Sequence, residues 1–530
     1  MRSYTAMRTL FSLLAGAALL LAPAATLAQP AAQPAATPAA APVRSGSLPA
    51  ELDAYIEQAR RDGNVPGIAV AVVHGDTVVT RGYGVRRLGG TERVDENTIF
   101  NVASLTKSFT SAGAALLVSE GRMRWDDRVR DWLPEFELKD PWVANAVTMR
   151  DLLSHRAGLA TEPALWAFTH SSRADVIRRL RYLEPRAPFR SGLVYSNVLY
   201  AVAGEMTAKA AGMPWERLIA ERLLQPLGMS RSSIANLDPA GGNISSAHST
   251  VDERLTPISW FWDLNTAPAG GLSSTAVDMA RWMRFQLADG ELDGRRLMSA
   301  EALRETHEPQ IVVPTTPSFR TARAVEHFAG YGMGWQVMDY RGHAAIWHSG
   351  SAAGMPVYMT LFPKERLGIL VMVNSDAPRN LHGALASRIA DTYLGLSVSD
   401  SAAANRAAHQ EGLQAARRLL AETAAARVPN TRPTLPPAAH AGTYASDLHG
   451  DLIVRTSPAG LTVQFGETGE IADLSHWHYN TWRLHWRNPF LRSGYYIAWM
   501  SFSVGDGTVD ELRGQIGRDV IEAARRPAQS

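Results

Sequence analysis

The stretch Ser104-Leu105-Thr106-Lys107 is the most informative part of the chain. Its lysine is one of only four in 530 residues, although lysine and arginine together number 53. Arginine stays protonated in proteins, whereas a buried lysine can lose its proton and then accept one from a neighbouring hydroxyl. A lysine three residues after a serine therefore indicates a nucleophile and its base. A chance serine in an arginine-rich chain is the alternative, so the stretch needs support from elsewhere.

The residues that follow Ser104 have helical periodicity. Apolar side chains recur at the spacing of one helix side, at Leu105, Phe109, Ala112, Leu116 and Leu117. Gly121 is suited to end such a helix. Ser104 is thus predicted at a helix start, where the first-turn amides and the positive end of the helix dipole favour negative charge on its oxygen. The spacing of three residues puts Lys107 on the same face.

Predicted β elements flank a long middle region, residues 140–330, that is expected to be mainly helical and loop-rich. Near the start, helical spacing over residues 52–59 precedes a buried-strand run at 68–73, which Gly75-Asp76 turns into a second strand. Three sequential antiparallel strands and a closing helix are predicted after the middle region, at residues 344–348, 357–362, 367–374 and 381–394.

The motif Tyr195-Ser196-Asn197 offers further groups for acyl transfer. A phenol beside a lysine ammonium ionises more easily, so Tyr195 and Lys107 are predicted to share the base role. Tyr195 would then protonate the leaving group. The side-chain amide of Asn197 is predicted to orient the acyl group of the substrate.

The motif His348-Ser349-Gly350 stands at the end of a predicted strand. A strand edge there would place the backbone N–H of Ser351 opposite that of Ser104, which makes a two-donor oxyanion hole. Gly350 permits the close backbone approach that this arrangement needs. His348 is predicted to help position the substrate.

These three motifs resemble, in kind and order, the S-x-x-K, Y-x-N and K/H-x-G motifs of the serine β-lactamase and penicillin-binding protein superfamily, in its class C β-lactamase-like branch. Other stretches similar to this branch are Leu152-Leu153-Ser154-His155-Arg156-Ala157-Gly158-Leu159, Pro268-Ala269-Gly270-Gly271-Leu272-Ser273-Ser274 and Tyr331-Gly332-Met333-Gly334-Trp335. The resemblance covers residues 48–397. It implies an α/β (α+β) β-lactamase/transpeptidase-like fold, in which helices flank an antiparallel sheet, a helical subdomain is inserted, and the site lies at their junction.

His348 stands where many members of this superfamily carry a lysine. Histidine is mostly neutral at pH 7 and anchors a substrate carboxylate more weakly, and in this superfamily it resembles the esterase and D-aminopeptidase type. The resemblance therefore implies a serine hydrolase that forms an acyl-enzyme on Ser104 with esters or small peptides or amides, including those with a D-residue. Two alternatives stay open: a β-lactamase or D-Ala-D-Ala carboxypeptidase, and a penicillin-recognising binding or sensor protein without turnover.

The composition changes after residue 397. An Ala- and Arg-rich segment, broken by prolines between 429 and 437, predicts a helical linker over residues 398–438. An all-β module is predicted over residues 439–526 from the short runs Leu452-Ile453-Val454, Leu461-Thr462-Val463, Trp482-Arg483-Leu484, Tyr495-Tyr496-Ile497 and Ser501-Phe502-Ser503. Residues 476–482 resemble part of the lipocalin-like β-barrel fused to such hydrolases, which implies a role in access to the site or in assembly.

Three histidines outside the motifs have plainer interpretations. His155 precedes Gly158 at a predicted helix end, which favours capping or packing over catalysis. His476 and His478 lie two residues apart, but no carboxylate or third histidine stands at a recognisable ligand spacing, so no metal site is predicted. No nucleotide-binding motif appears in a suitable context, and we predict an enzyme without a cofactor.

The N-terminus is predicted to direct export. Arg2 and Arg8 precede a short apolar run and small residues ending at Ala28, which is the pattern of a cleaved signal peptide over residues 1–28. Residues 29–47, mainly Ala, Pro and Gln, are predicted to be a tether. The mature protein is expected to be secreted or periplasmic, without a stable membrane anchor.

Composition narrows the partners. The net charge of +2 comes from nearly balanced charges without a basic run, which argues against a nucleic-acid partner. The chain has no cysteine, and therefore neither a disulfide nor a thiol nucleophile. A small-molecule ester or peptide is the expected partner, and self-association into a homo-oligomer is a further expectation.

Overall fold

The part of the chain that the structure describes begins at Arg44. The computed structural model describes residues 44–235, 237–260, 264–315, 325–352, 354–376, 378–458, 460–492, 498–516 and 519–527. The predicted signal peptide, most of the predicted tether and the predicted strand Tyr495-Tyr496-Ile497 lie outside these residues. All the described residues belong to one compact unit of the chain.

A nine-stranded sheet forms the centre of the N-terminal domain (residues 44–393). Its strands pair antiparallel except for one short parallel contact at the edge. In spatial order they are Arg44–Ser45, Thr77–Gly84, Gly67–His74, Leu367–Val373, Met355–Phe362, His343–Ala352, Gln336–Tyr340, Val325–Tyr331 and Ile311–Val312. The predicted hairpin and the predicted three-strand meander are confirmed. The strand Val325–Tyr331 was not predicted, because a register shift after Val325 interrupts its alternation.

Both faces of this sheet are covered, because alternate residues of a strand point to opposite sides. Val70 packs on one face with the helices Ala50–Asp62 and Leu381–Tyr393. Ala71 lies in the core on the other face, which includes side chains of helix Ala276–Leu287. Two buried faces explain why the central strands are continuously apolar.

Between the two halves of the sheet the chain is mainly helical, as predicted. The helices are Thr106–Ser119, Val129–Trp132, Pro141–Ala146, Met149–Leu153, Pro163–Trp166, Arg173–Arg179, Asn197–Ala211, Trp215–Ile219, Ala267–Gly270, Ala276–Leu287 and Ala300–His307. Small sheets are formed by Phe100–Asn101, Leu272–Ser274 and Ser233–Ile234, by Ala247–Val251 and Arg254–Ile258, and by Glu291–Leu292 and Arg295–Arg296.

A closed antiparallel barrel of eight strands forms the C-terminal part, which confirms the predicted all-β fold. Helix Ser401–Ala425 precedes it. The barrel strands are Gly442–Ser446, Gly450–Ser457, Gly460–Phe465, Ile471–His478, Thr481–Trp486, Ala498–Gly505, Thr508–Ile516 and Asp519–Arg525. A short helix, Pro489–Arg492, lies between the fifth and sixth strands. Aromatic side chains such as Tyr444, Trp482 and Phe502 fill the interior.

The described ranges contain neither a membrane-spanning helix nor a metal-binding cluster of side chains. No helix in these ranges is both long and apolar enough to cross a membrane. In the same ranges, no three or more His, Cys, Asp or Glu side chains form a group that could hold a metal ion. His476 instead places Nε2 2.8 Å from the carbonyl of Tyr479, and His478 accepts the N–H of Val428 at 3.4 Å.

Candidate active site

Ser104 lies in a single 3₁₀ turn, Ala103–Leu105, that runs directly into helix Thr106–Ser119. The predicted position at a helix start is therefore confirmed. Ala103, just before the serine, has φ +45°, a strained value for a residue with a side chain. Its N–H donates to Asn101 Oδ1 at 2.7 Å, and its carbonyl accepts from Thr106 Oγ1 at 2.7 Å. These two bonds hold the turn that presents Ser104.

Lys107 is fully buried behind Ser104. Its Nζ lies 3.1 Å from Ser104 Oγ, 2.8 Å from Asn197 Oδ1 and 2.9 Å from the carbonyl oxygen of Ala269. Burial lowers the pKa of this amine well below its usual value. The rings of Tyr195 and Tyr200, at 4.7 and 5.2 Å, would favour a cation weakly, and this does not offset the loss of hydration.

The hydrogen atoms of a neutral lysine amine determine which of these contacts it donates and which it accepts. A neutral amine has two N–H groups and one lone pair. Asn197 Oδ1 and the Ala269 carbonyl can only accept, so they take the two N–H groups. The lone pair is then directed to the hydroxyl of Ser104, which can donate. This arrangement suits Lys107 to accept the proton of Ser104.

Tyr195 donates its hydroxyl to Ser104 Oγ at 2.9 Å. Burial raises the pKa of this phenol above its usual value, so Tyr195 keeps its proton near neutral pH. The expectation that the phenol ionises easily is therefore wrong. It assumed an ammonium at Lys107, whereas burial lowers the pKa of that amine and the same burial disfavours a phenolate at Tyr195. A protonated Tyr195 is suited to give a proton to a leaving group.

Asn197 begins helix Asn197–Ala211 and lines the cavity in front of Ser104. Its backbone N–H donates to Thr161 Oγ1 at 3.1 Å, and its side-chain oxygen is engaged by Lys107. The carboxamide NH₂ group is the part of this side chain that can donate to a substrate carbonyl. Asn197 thus has a contact with the base in addition to its predicted place beside the acyl group.

The strand His343–Ala352 lies directly against the serine turn. A Cβ on Gly350 would come within 2.8 Å of Ser104 N and 2.9 Å of Ala103 Cβ, so only glycine fits here without displacement. Ser351 is the next residue along the strand and lines the same cavity as Ser104. The structure therefore brings together the two residues whose amides were predicted to form the oxyanion hole.

His348 is buried, and its two ring nitrogens are both engaged. Nδ1 donates to the carbonyl of Ser349 at 2.6 Å, so Nε2 carries the lone pair and accepts the hydroxyl of Tyr331 at 3.0 Å. Burial lowers the pKa of His348 to about 3, which makes the ring neutral. Although His348 lines the cavity, neither ring nitrogen is left to bind a substrate. In this arrangement His348 is a neutral support of the strand, and its role in positioning the substrate stays a prediction.

A cavity of about 430 Å³ opens in front of Ser104. Of the seven predicted site residues, six line it and Lys107 lies immediately behind. Residues 161–167, called the wall segment below, form one side with Pro163, Trp166 and Ala167. Phe490, from the short helix of the barrel, completes this apolar wall.

The barrel contacts both ends of the wall segment. The ring of Phe168 is fully buried, 5.1 Å from that of Trp486 and 5.8 Å from that of Phe465 in the barrel. At the other end, the carboxylate of Glu162 lies 3.3 Å from Nε2 of His449, and both side chains are almost completely buried. The C-terminal domain therefore contacts the segment that forms the cavity wall.

Several residues of the site escaped the prediction, and four of them show why. Ala269 contributes only a backbone oxygen, and nothing in its side chain signals that contact. Tyr331 stands in one of the stretches that resemble the superfamily, but its hydrogen bond with His348 is apparent only in the tertiary structure. Thr161 and Phe490 lie in segments without a recognisable pattern, and only the tertiary structure brings them to the cavity.

Comparison with sequence families gives two matches. The Beta-lactamase family model matches residues 52–394, and a domain of unknown function, DUF3471, matches residues 426–523. Among curated relatives, Unguisins hydrolase ungD of Aspergillus violaceofuscus is 26% identical over 449 residues, covering 77% of this chain and 76% of that protein. Penicillin-binding protein 4 of Amycolatopsis lactamdurans is 28% identical over 348 residues, covering 62% and 87%.

Solved structures with a similar fold include relatives that match most of the chain. An octameric penicillin-binding protein homologue from Pyrococcus abyssi has a TM-score of 0.58 and 19% identity, covering 90% of this chain and 98% of that one. SurE has a TM-score of 0.53 and 24% identity, and the match covers 90% of this chain and 99% of that one. A class C beta-lactamase gives 0.55 and 19%, covering 64% of this chain and 96% of that one. At these identities the likeness is one of fold.

Proposed function

This chain belongs to the beta-lactamase family of serine hydrolases, and we propose that it acts through an acyl-enzyme on Ser104. Its substrates are esters or small peptides or amides, including those with a D-residue. The protein is also proposed to be exported. The observation that carries the proposal is the set of three contacts on Lys107 Nζ, which leaves its lone pair for Ser104. The hydroxyl of Tyr195 on the same oxygen supplies the proton that the leaving group needs.

In the first half of the reaction, Lys107 takes the proton of Ser104 while Oγ attacks the substrate carbonyl. The amides of Ser104 and Ser351 stabilise the negative oxygen that develops. The tetrahedral intermediate collapses as the bond to the leaving group breaks and Tyr195 protonates that group. The ammonium of Lys107 then restores the phenol, so that one proton has passed from the serine to the leaving group.

In the second half, water attacks the acyl-enzyme and the same groups act in reverse. The water proton passes to the tyrosine–lysine pair, the ester bond to Ser104 breaks, and Oγ regains a proton. The products are the free acid and the original enzyme. No other group has to carry charge through the cycle.

The surroundings of Ser104 support a neutral substrate. His348 is uncharged and its ring nitrogens are occupied, so it does not hold a substrate carboxylate. Among the described residues that line the cavity, none has an acidic or basic side chain other than this histidine and His382. The apolar wall of Pro163, Trp166 and Phe490 favours an uncharged substrate with an apolar group beside the scissile bond.

Penicillin recognition is the second candidate. The relative named Penicillin-binding protein 4 and the fold of class C beta-lactamase support it. A β-lactamase, a D-Ala-D-Ala carboxypeptidase or an acylated sensor would use the same Ser104 and Lys107. Neutral His348 disfavours the first two, because their substrates carry a carboxylate.

We further propose that the barrel completes the active site by providing Phe490 and by holding the wall segment through Phe168 and Glu162. Self-association into a homo-oligomer is part of the proposal and is supported by the octameric homologue from Pyrococcus abyssi.

Export is supported by the sequence of residues 1–28. Mass spectrometry of protein from the culture medium or periplasm should find a chain that begins at Gln29.

The decisive experiment compares the mature protein with Ser104→Ala on a chromogenic ester, a D-aminoacyl anilide and a chromogenic cephalosporin. We expect turnover of the ester or the anilide, loss of turnover in Ser104→Ala, and a mass increase of one acyl group on the quenched enzyme. Turnover that persists without Ser104 would refute the mechanism. A stoichiometric burst without turnover would favour the sensor, and rapid cephalosporin hydrolysis would favour the β-lactamase.

A further inference from the structure

His155 contacts the backbone on both sides of Tyr195. Its carbonyl accepts the N–H of Val194 at 2.9 Å, and its Nδ1 accepts the N–H of Ser196 at 3.1 Å. Its ring centroid lies 4.3 Å from that of Tyr195. One residue thus holds the main chain before and after Tyr195 and also packs against the phenol.

The hydrogen-bond partners determine the form of this ring. A backbone N–H can only donate, so Nδ1 carries the lone pair and the proton is on Nε2. Burial lowers the pKa of His155 well below its usual value, which agrees with a neutral ring. His155 is therefore a permanent acceptor for Ser196 at the pH at which the enzyme would work.

The backbone around His155 is firmly held. His155 itself has φ +57°, in the left-handed region, just after helix Met149–Leu153. The carbonyls of Arg156 and Gly158 accept the N–H groups of Arg190 and Arg186, each at 2.8 Å. The buried carboxylate of Asp151 joins the same two segments, through Arg156 at 2.5 Å and Arg190 at 2.7 Å. The support on which His155 stands is thus rigid.

We propose that His155 is a positioning residue that holds the hydroxyl of Tyr195 against Ser104 Oγ. This inference rests on the role of Tyr195 in the proposed function. The Tyr195 hydroxyl must reach both the serine oxygen and the leaving group, and its 2.9 Å contact with Ser104 leaves little tolerance. A shift of about 1 Å in such a group can cost about 100-fold in rate.

A matched pair of variants separates this role from simple packing. His155→Asn and His155→Gly both tolerate a left-handed backbone. Only asparagine keeps an acceptor at the same number of bonds from Cα as Nδ1. We expect His155→Gly to lower kcat about 100-fold with KM changed less than about threefold, and His155→Asn to recover most of that loss. If the glycine variant does not fold, His155→Gln, which displaces the acceptor by one bond, takes its place with the same expectation.

The second comparison repeats the glycine substitution in a Tyr195→Phe background, on the substrate that the wild type hydrolyses. If His155 acts through Tyr195, the double variant should be no slower than Tyr195→Phe alone. Losses that multiply, or equal kcat values for His155→Gly and wild type, would overturn the inference. Full activity of Tyr195→Phe alone would instead refute the role of Tyr195 in the proposed function, which is a separate outcome.

Discussion

Gly350 and the amide of Ser104 are so close that a Cβ on residue 350 would lie 2.8 Å from Ser104 N. The strand therefore approaches the nucleophile at a distance that only glycine allows. This contact joins strand His343–Ala352 of the large sheet to the turn that begins the helix after Ser104. The proposed oxyanion hole lies beside it.

Gly350→Ala should lower kcat about 100-fold or more, because the added methyl group must displace the strand or the serine turn that carries the oxyanion donors. Gly192→Ala is the matched control, since a Cβ there meets nothing within 4 Å. Steady-state kinetics of both variants on one chromogenic ester tests this. Equal activity of the two variants would show that the strand does not need its close approach to Ser104.

Lys107→Arg tests the proton acceptor. A guanidinium keeps positive charge but cannot take a proton from Ser104, so we expect kcat to fall about 1,000-fold and the acyl-enzyme burst to disappear. Lys107→Met, which is neutral and similar in length, should fold and be equally inactive. Retention of more than about a tenth of the activity in the folded arginine variant would contradict the role of Lys107.

The lowered pKa of Lys107 also predicts how stability depends on pH. Between its folded pKa and its unfolded pKa of about 10.4, the unfolded chain binds a proton on Lys107 that the folded protein does not. For this group, the free energy of unfolding should rise with pH by up to about 1.4 kcal/mol per unit in that window, and the gain is lost as pH falls.

Urea unfolding of wild type and Lys107→Met near pH 7, 8 and 9 measures this effect, because the difference between the two proteins cancels all other titrating groups. The free energy of unfolding of the wild type should increase relative to that of the variant at each rise in pH. A difference that stays constant with pH would mean that the buried amine is protonated in the folded enzyme.

Local sequence was sufficient for the nucleophile and its base. Ser104 and Lys107 are three residues apart in one helical segment, so their contact follows from helix geometry alone. The central strands were also predictable, because two buried faces produce continuous apolar runs such as that around Val70. The distant motifs at Tyr195 and His348 were identified by a resemblance of motifs, and their placement in one cavity is a property of the fold.

What sequence could not provide was the state of these side chains. Whether Tyr195 ionises depends on burial and on the charge of Lys107, and both depend on the packed structure. The contacts of the two His348 nitrogens with Tyr331 and the Ser349 carbonyl are likewise found only in the folded structure. Phe490 reaches the cavity from a different domain, and no spacing along the chain predicts such a contact.

Phe490→Ala should weaken the binding of substrates with a bulky apolar group. Loss of this half-buried wall residue removes about 1.4 kcal/mol of apolar contact, which corresponds to about a tenfold rise in KM. The kcat for these substrates and the KM for a small acetyl ester should change little, and Phe490→Leu should retain most of the binding. An equal rise in KM for large and small esters would argue against a role of Phe490 in selecting the apolar group.

The pair of Glu162 and His449 should couple the barrel to the active site. His449→Leu leaves the buried Glu162 carboxylate with Arg186, at 3.9 Å, as its remaining charged neighbour among the described residues. Loss of a buried hydrogen bond to a charged group costs about 1.5–3 kcal/mol, so the variant should unfold at a lower temperature. Because Glu162 directly precedes the helix Pro163–Trp166, the KM for apolar substrates should rise as well. Glu162→Gln combined with His449→Leu removes the isolated charge and should recover much of the stability. Lower stability with an unchanged KM would mean that the barrel contacts the wall segment without holding it in place.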